Sequence, residues 1–113
     1  MELVDKSIKH SRISKMATAR FGNLVKAVVD IDKEIMVVDA EMHADEEAFL
    51  LEMGSEQESL WGINIYPDKE NDDFVEFDSM INIRPSTGNL SRGIENNKIK
   101  EKIIMIVEKL VKR

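Results

Sequence analysis

Two arginines and a run of small polar residues precede the last helical pattern of the chain. Arg84 and Arg92 flank a segment that contains Asn89 and Ser91, and Gly93 follows Arg92 directly. A guanidinium fork can bind a carboxylate or phosphate through two hydrogen bonds, and glycine lets backbone N–H groups approach such an anion. The N-terminus of the following helix would add partial positive charge. These residues therefore predict an anion-binding site in an otherwise acidic chain.

The same arginines have carboxylates nearby as competing partners. Arg84 shares a predicted strand face with Glu76 and Asp78, and Arg92 lies three residues before Glu95. In this alternative the arginines form structural ion pairs. The spacing is not a recognised phosphate-binding fingerprint, so both interpretations stay open.

A pair of carboxylates suggests a different chemistry. Glu76 and Asp78 alternate on one predicted strand and face Asn64 and Tyr66 on its neighbour. Carboxylates two residues apart on a strand lie about 7 Å apart at the backbone, which suits general acid–base catalysis where a pocket raises one pKa. The alternative is a solvated or ion-paired outer sheet face. Neither a nucleophile elbow nor a Walker loop is present, which argues against familiar acyl transfer or nucleotide hydrolysis.

A metal site is a weaker hypothesis. Asp39, Glu41 and His43 alternate along a predicted strand, and Asp45 and Glu46 follow directly. Carboxylate oxygens and one imidazole suit a hard or borderline divalent ion, with Glu41, His43 and Asp45 as the candidate ligands. The alternative is a solvated acidic surface that also favours a helix start. We therefore predict neither a resident metal nor a cofactor.

The bulk composition limits the class of partner. The chain has 113 residues, a formal net charge of -6 and no cysteine. We expect a single globular domain over residues 1–113 in the cytoplasm. The acidic balance argues against nucleic acid, and no stretch is apolar enough to cross a membrane. A homo-oligomer is compatible with this composition.

An α+β arrangement must position the candidate residues. The segments 60–66 and 74–85 both alternate strictly between apolar and polar residues, which predicts a central hairpin with Trp61, Ile63 and Ile65 buried. The predicted order is β-α-β-β-α-β-β-α. We expect a single two-layer domain with a mainly antiparallel sheet and all helices on one face.

The remaining elements follow from periodicity and turn residues. A second hairpin joins 24–31 to 35–42 and pairs Ile31 with Met36. The predicted helices are one over 9–21 that ends at Gly22, one from Asp45 to Gly54 that buries Phe49, Leu50 and Met53, and one that Asn96 or Asn97 caps.

Leu90 is the only large apolar residue between Ile83 and Ile94. We expect it to anchor the intervening loop on the core. Arg84 and Arg92 would then converge near the start of the last helix.

The chain also resembles a known group of proteins. The motifs that carry the resemblance are LWGINIYP at 60–67, SMINIRP at 79–85, and the loop residues Asn89, Ser91, Arg92 and Glu95. They resemble an uncharacterised family of small bacterial and archaeal proteins, a domain of unknown function. The resemblance covers nearly the whole chain and implies no activity.

Three functions are therefore expected as alternatives. The first is recognition of an anionic small molecule or an acidic peptide end through Arg84 and Arg92. The second is a small hydrolase or isomerase that uses Glu76 or Asp78 as its acid or base. The third is a structural or protein-interaction subunit.

Overall fold

Five strands form one antiparallel sheet, and three helices pack against it. The computed structural model describes all residues, 1–113. The elements are β1 Glu2–Val4, β2 Ile8–Lys9, α1 His10–Arg20, β3 Val25–Asp30, β4 Ile35–Val38, α2 His43–Glu52, β5 Leu60–Ile65, β6 Val75–Glu76, α3 Asn97–Leu110 and β7 Val111–Lys112. The sheet order is β1-β4-β3-β5-β6, and β2 pairs with β7 in a separate two-residue parallel ladder. Apart from β2 and β7, the element order and the α+β class are as predicted.

The main core lies between one face of the sheet and the helices α1 and α3. Val25, Ala27 and Val29 alternate along β3 and point toward this core, as a strand's period of two requires. The helices contribute Ile13, Met16 and Ala17 from α1 and Ile103, Ile106, Val107 and Leu110 from α3. Trp61, Ile63 and Ile65 also lie in this core, as the alternation of their strand predicted.

The other face of the sheet is covered by α2. Leu50 packs there with Val28, Val37 and Leu60 in a second, smaller cluster. The predicted placement of all helices on one face therefore holds for α1 and α3 but not for α2. The uninterrupted apolar run Ala27–Val29 is typical of a strand buried on both faces.

The register of the β3–β4 hairpin differs from the prediction. Val29, not Ile31, pairs with Met36. The connection is a four-residue turn over 31–34, in which the Asp30 side chain accepts two backbone N–H groups. Hydrogen bonds from such a side chain stabilise a longer turn, and the apolar pattern of the sequence does not reveal them. A shift of two residues leaves every side chain on its predicted face.

The predicted central hairpin is confirmed for β5 and for the two residues of β6 that pair with it. β6 ends at Glu76, and the side chain of Asn82 then takes the position opposite Gly62 in β5. Its Oδ1 accepts the Gly62 N–H at 2.8 Å and its Nδ2 donates to the Gly62 carbonyl at 2.9 Å. One amide side chain thus replaces a strand residue, and the strand predicted over 74–85 is wrong beyond Glu76.

Gly62 is required by the close approach of this loop. A Cβ at position 62 would lie 2.5 Å from the Ser79 Cβ. We expect Gly62→Ala to lower the free energy of unfolding by roughly 1–3 kcal/mol, the usual cost of overpacking. Gly93→Ala is the matched control, because its added Cβ would be 3.5 Å from the nearest atom. Urea denaturation that finds Gly62→Ala as stable as the wild type would contradict this packing.

The helix boundaries match the prediction at α3 and differ at α2. Asn96 caps α3 through two backbone N–H groups, as predicted. α2 begins at His43, two residues before the predicted start at Asp45. Met53, which was expected in the core, is exposed. None of the helices combines the length and apolar character needed to span a bilayer.

Candidate functional site

The partners of the Arg84 side chain lie mostly within the chain itself. Its guanidinium donates to the Glu58 carbonyl at 3.4 Å and to the Leu60 carbonyl, and it stacks 4.5 Å from the Trp61 ring centroid. The Glu47 carboxylate lies 4.0 Å away. Burial lowers the pKa of Arg84, and the two nearby glutamates oppose that shift. Arg84 therefore ties its loop to the start of β5 and offers little of its fork to a ligand.

Arg92 has a different set of partners. Its Nε donates to Asp78 Oδ1 at 2.7 Å, and the side chain is 54% exposed. The two terminal nitrogens of this guanidinium have no partner in the chain. The wall of the cavity beside Arg84, about 410 Å³ in volume, includes Asn89 and Asn96 but not Arg92. Arg84 and Arg92 thus have different partners and do not line this cavity together.

Asn89 organises the loop between them. Its Nδ2 donates to the carbonyls of Asn82, Ser91 and Gly93 at 2.7, 3.1 and 2.8 Å. Its Oδ1 accepts the Glu95 N–H at 2.9 Å. All polar atoms of this buried amide are used within the chain. The Asn89 side chain thus holds the loop by binding the backbone carbonyls of Ser91 and Gly93.

Leu90 does not anchor this loop on the core. Its side chain is 68% exposed, and its backbone N–H donates to the Glu95 carboxylate. The expectation that Leu90 holds the loop in place is therefore wrong. The neighbouring Asn89 does so through hydrogen bonds.

A group of polar side chains lies on the α2 face of the sheet. Lys26 on β3 pairs with Asn64 on β5, and both point away from the main core. His43 and Glu46 are one turn apart in α2, and both are buried against this face. We call Lys26, His43, Glu46 and Asn64 the α2 polar cluster.

His43 is held as a neutral imidazole with one free nitrogen. Its Nε2 lies 2.7 Å from the Ile63 carbonyl, which can only accept, so Nε2 carries the proton. Nδ1 has no partner in the chain. Burial is the main cause that lowers the pKa of His43, and the cations Lys26 and Arg92 act in the same direction. The bond to Ile63 and the charge of Asp78 oppose that shift. His43 therefore presents a hydrogen-bond acceptor, or a base, at neutral pH.

Glu46 has the opposite perturbation. Its Oε2 accepts the Ala40 N–H at 3.1 Å, and its Oε1 is buried without a partner. Burial raises the pKa of Glu46 to about 9, although the Ala40 N–H and the charge of Lys26 oppose the shift. A protonated acid and a neutral imidazole thus share one helix face, and such perturbed groups are concentrated at functional sites.

The predicted carboxylate pair lies at the edge of the cluster. Glu76 Oε1 accepts from Asn64 Nδ2 and from the Tyr66 hydroxyl, each at 2.9 Å. Asp78 is occupied by Arg92. Burial, reinforced by Glu76, raises the pKa of Tyr66. The structure brings Asn64, Tyr66 and Glu76 together as the pattern predicted, but both carboxylates already have hydrogen-bonding partners.

A family model described as a protein of unknown function, DUF5674, matches residues 2–110. The chain belongs to this family. The expected membership of an uncharacterised domain family is confirmed. No curated protein and no solved structure matches the chain.

In this member of DUF5674, the metal-site candidates Glu41, His43 and Asp45 are not grouped together. No group of three or more histidines and carboxylates is placed to hold an ion. β4 ends at Val38, and Asp39 adopts a left-handed φ of 68°, so the predicted alternation stops there. Glu41 and Asp45 are exposed, while His43 is buried.

The sequence did not predict a ligand-binding role for two residues of the cluster. Lys26 was not among the candidates, and Glu46 was considered only as a neighbour of a metal site. The signal that could have identified the site is the spacing of His43, Glu46 and Leu50. Spacings of three and four place these residues on one buried helix face, but only when the helix begins at His43.

Proposed function

We propose that the chain binds an anionic small molecule at the α2 polar cluster, with Arg92 and Lys26 as the cationic partners. The supporting observation is the placement of the two cations: Lys26 pairs with Asn64, the Asn64 Nδ2 lies 3.5 Å from the Asp78 carbonyl, and the Asp78 carboxylate accepts from Arg92. Lys26 has no carboxylate partner, and its Nζ lies 5.2 Å from the centre of the Phe21 ring. Arg92 uses one nitrogen for Asp78.

The cluster recognises two parts of such a molecule. A carboxylate or phosphate accepts hydrogen bonds from the terminal nitrogens of Arg92 and from Lys26. The free Nδ1 of His43 accepts a hydroxyl or N–H of the same molecule. An acidic peptide end would present the same carboxylate. In this proposal Arg84, which the sequence analysis paired with Arg92, supports the loop.

Anion-dependent stabilisation tests this proposal. Phosphate or sulfate at matched ionic strength is expected to raise the Tm of the wild type, since a ligand at 100 times its Kd adds about 2.7 kcal/mol to the stability of the native state. Arg92→Ala is expected to abolish the shift. Arg12→Ala is the control, because Arg12 is similarly exposed at 60% and also pairs with one carboxylate, that of Glu2. Equal shifts in both variants would contradict the site.

Acid–base catalysis is the second candidate, and the free Nδ1 of His43 favours it. Glu76 and Asp78, the acid–base candidates predicted from the sequence, are occupied by Tyr66, Asn64 and Arg92. In the revised proposal, a hydrolase or isomerase would use His43 as its base. This requires a neutral His43 at pH 7, so an NMR titration showing His43 charged at that pH would remove the candidate.

We also propose a cytoplasmic location and a prokaryotic distribution for the family. The location follows from the sequence composition, and the distribution follows from the resemblance of the motifs.

A further inference from the structure

A second cavity lies on the other side of the sheet, between the β6 edge and α3. Its volume is about 500 Å³, which is within the range of natural ligand sites. Its apolar lining consists of Phe74, Val75, Ile104, Val107 and Val111. Because α3 and α2 cover opposite faces of the sheet, this cavity is separate from the α2 polar cluster.

Charged side chains of both signs surround this apolar lining. Asp72 and Glu108 supply two carboxylates, and Lys112 and Arg113 supply two cations. None of the four takes part in the six ion pairs of the chain. Arg113 instead lies 4.9 Å from the Phe74 ring centroid. The rim therefore offers unpaired charges of both signs to a partner.

The strand beside the cavity has an open edge. The Tyr66 N–H donates to the Phe74 carbonyl, and Asn64 pairs with Glu76. These two pairs are therefore the hydrogen-bonded pairs of the β5–β6 ladder, and Val75 lies between them. In an antiparallel ladder the intervening residue directs its N–H and C=O away from the partner strand. Those groups of Val75 therefore point to the outer edge of the sheet, next to the cavity.

We infer that this edge and cavity bind an extended peptide segment. The segment adds to the outer edge of β6 by hydrogen bonds with the Val75 N–H and C=O, the mode known as strand addition. Because side chains alternate along a strand, one apolar side chain of the segment points toward α3 and fills the cavity. Flanking acidic and basic residues meet the cations and carboxylates of the rim.

Selection of random octapeptides on the immobilised full chain tests this inference. The selected peptides are expected to alternate between apolar and charged residues. Their binding to the wild type is expected to reduce the rate of hydrogen exchange at the Val75 amide. Ile104→Trp, which fills the cavity, is expected to weaken their binding at least tenfold. Met105→Trp is the matched control, because Met105 is the next residue of α3, 55% exposed and outside the cavity.

Two results would overturn the inference. The first is no enrichment, or peptides that bind Ile104→Trp as tightly as the wild type. The second is peptide binding that leaves exchange of the Val75 amide unchanged. The exchange measurement uses the wild type, so it decides the matter even where Ile104→Trp fails to fold.

Discussion

Asn82→Ala is expected to lower the free energy of unfolding by roughly 3–5 kcal/mol, because it leaves several buried backbone groups without partners at about 1–3 kcal/mol each. The Asn82 side chain bonds both polar groups of Gly62 and also donates to the Arg92 carbonyl at 3.0 Å. The residue itself is completely buried. Urea denaturation of the variant measures this loss.

Asn97→Ala is the control for this prediction. Asn97 is exposed in the first turn of α3, and its side chain makes no hydrogen bond within the chain. Its replacement is expected to change stability little. If Asn82→Ala were no more destabilising than Asn97→Ala, the amide of Asn82 would not be the group that closes the sheet edge.

Glu46→Gln is expected to stabilise the protein at neutral and alkaline pH. Burial raises the pKa of Glu46 from its ordinary 4.5 to about 9. Between these values the unfolded chain has Glu46 ionised while the folded chain keeps it protonated. The stability that this group contributes is therefore complete below pH 4.5 and is lost as pH rises toward 9. Each pKa unit corresponds to about 1.4 kcal/mol, so the loss at pH 7 is roughly 3 kcal/mol.

Glutamine avoids this loss because it has no proton to release. Its amide oxygen still accepts the Ala40 N–H, and the amide does not ionise in the unfolded chain. Denaturation from pH 5 to 9 is expected to show a flatter stability profile for Glu46→Gln than for the wild type. Glu52→Gln, at an exposed position in the same helix, is the control. Identical profiles for wild type and Glu46→Gln would show that Glu46 is not buried as a neutral acid.

Apolar periodicity predicted the parts of the fold that depend on burial alone. α1, β5 and the capped start of α3 lie where the pattern placed them. The side-chain faces of β3 and β4 are also correct, although their register is shifted by two residues. Periodicity reports which face of an element is buried, and these elements are defined by little else.

Two predictions, the strand over 74–85 and the Leu90 anchor, failed for the same physical reason. In both places a polar side chain makes the stabilising hydrogen bonds. The Asn82 side chain bonds the backbone of Gly62 in place of a strand residue. The chain therefore leaves the sheet after Glu76, although its sequence continues to alternate between apolar and polar residues. Asn89 holds the loop that Leu90 was expected to anchor. Such hydrogen bonds depend on partners that are distant in the chain, and no local pattern reveals them.

The candidate site was only partly predictable from the sequence. The cross-strand group of Asn64, Tyr66 and Glu76 follows from strand alternation, which places facing residues together. The burial of His43 and Glu46 depends on which sheet face α2 covers. Burial under α2 lowers the pKa of His43 and raises the pKa of Glu46.

The most direct test of the α2 polar cluster is nitrogen NMR of the histidine side chains during a phosphate titration. The chain has only two histidines, so His10 serves as an internal control. The free protein is expected to show His43 with protonated Nε2 and unprotonated Nδ1 at pH 7. Phosphate is expected to shift the His43 resonances and to raise its pKa, because a bound anion favours the imidazolium, while His10 stays unchanged. Phosphate that moves resonances around Arg84 and leaves His43 unaffected would contradict the account.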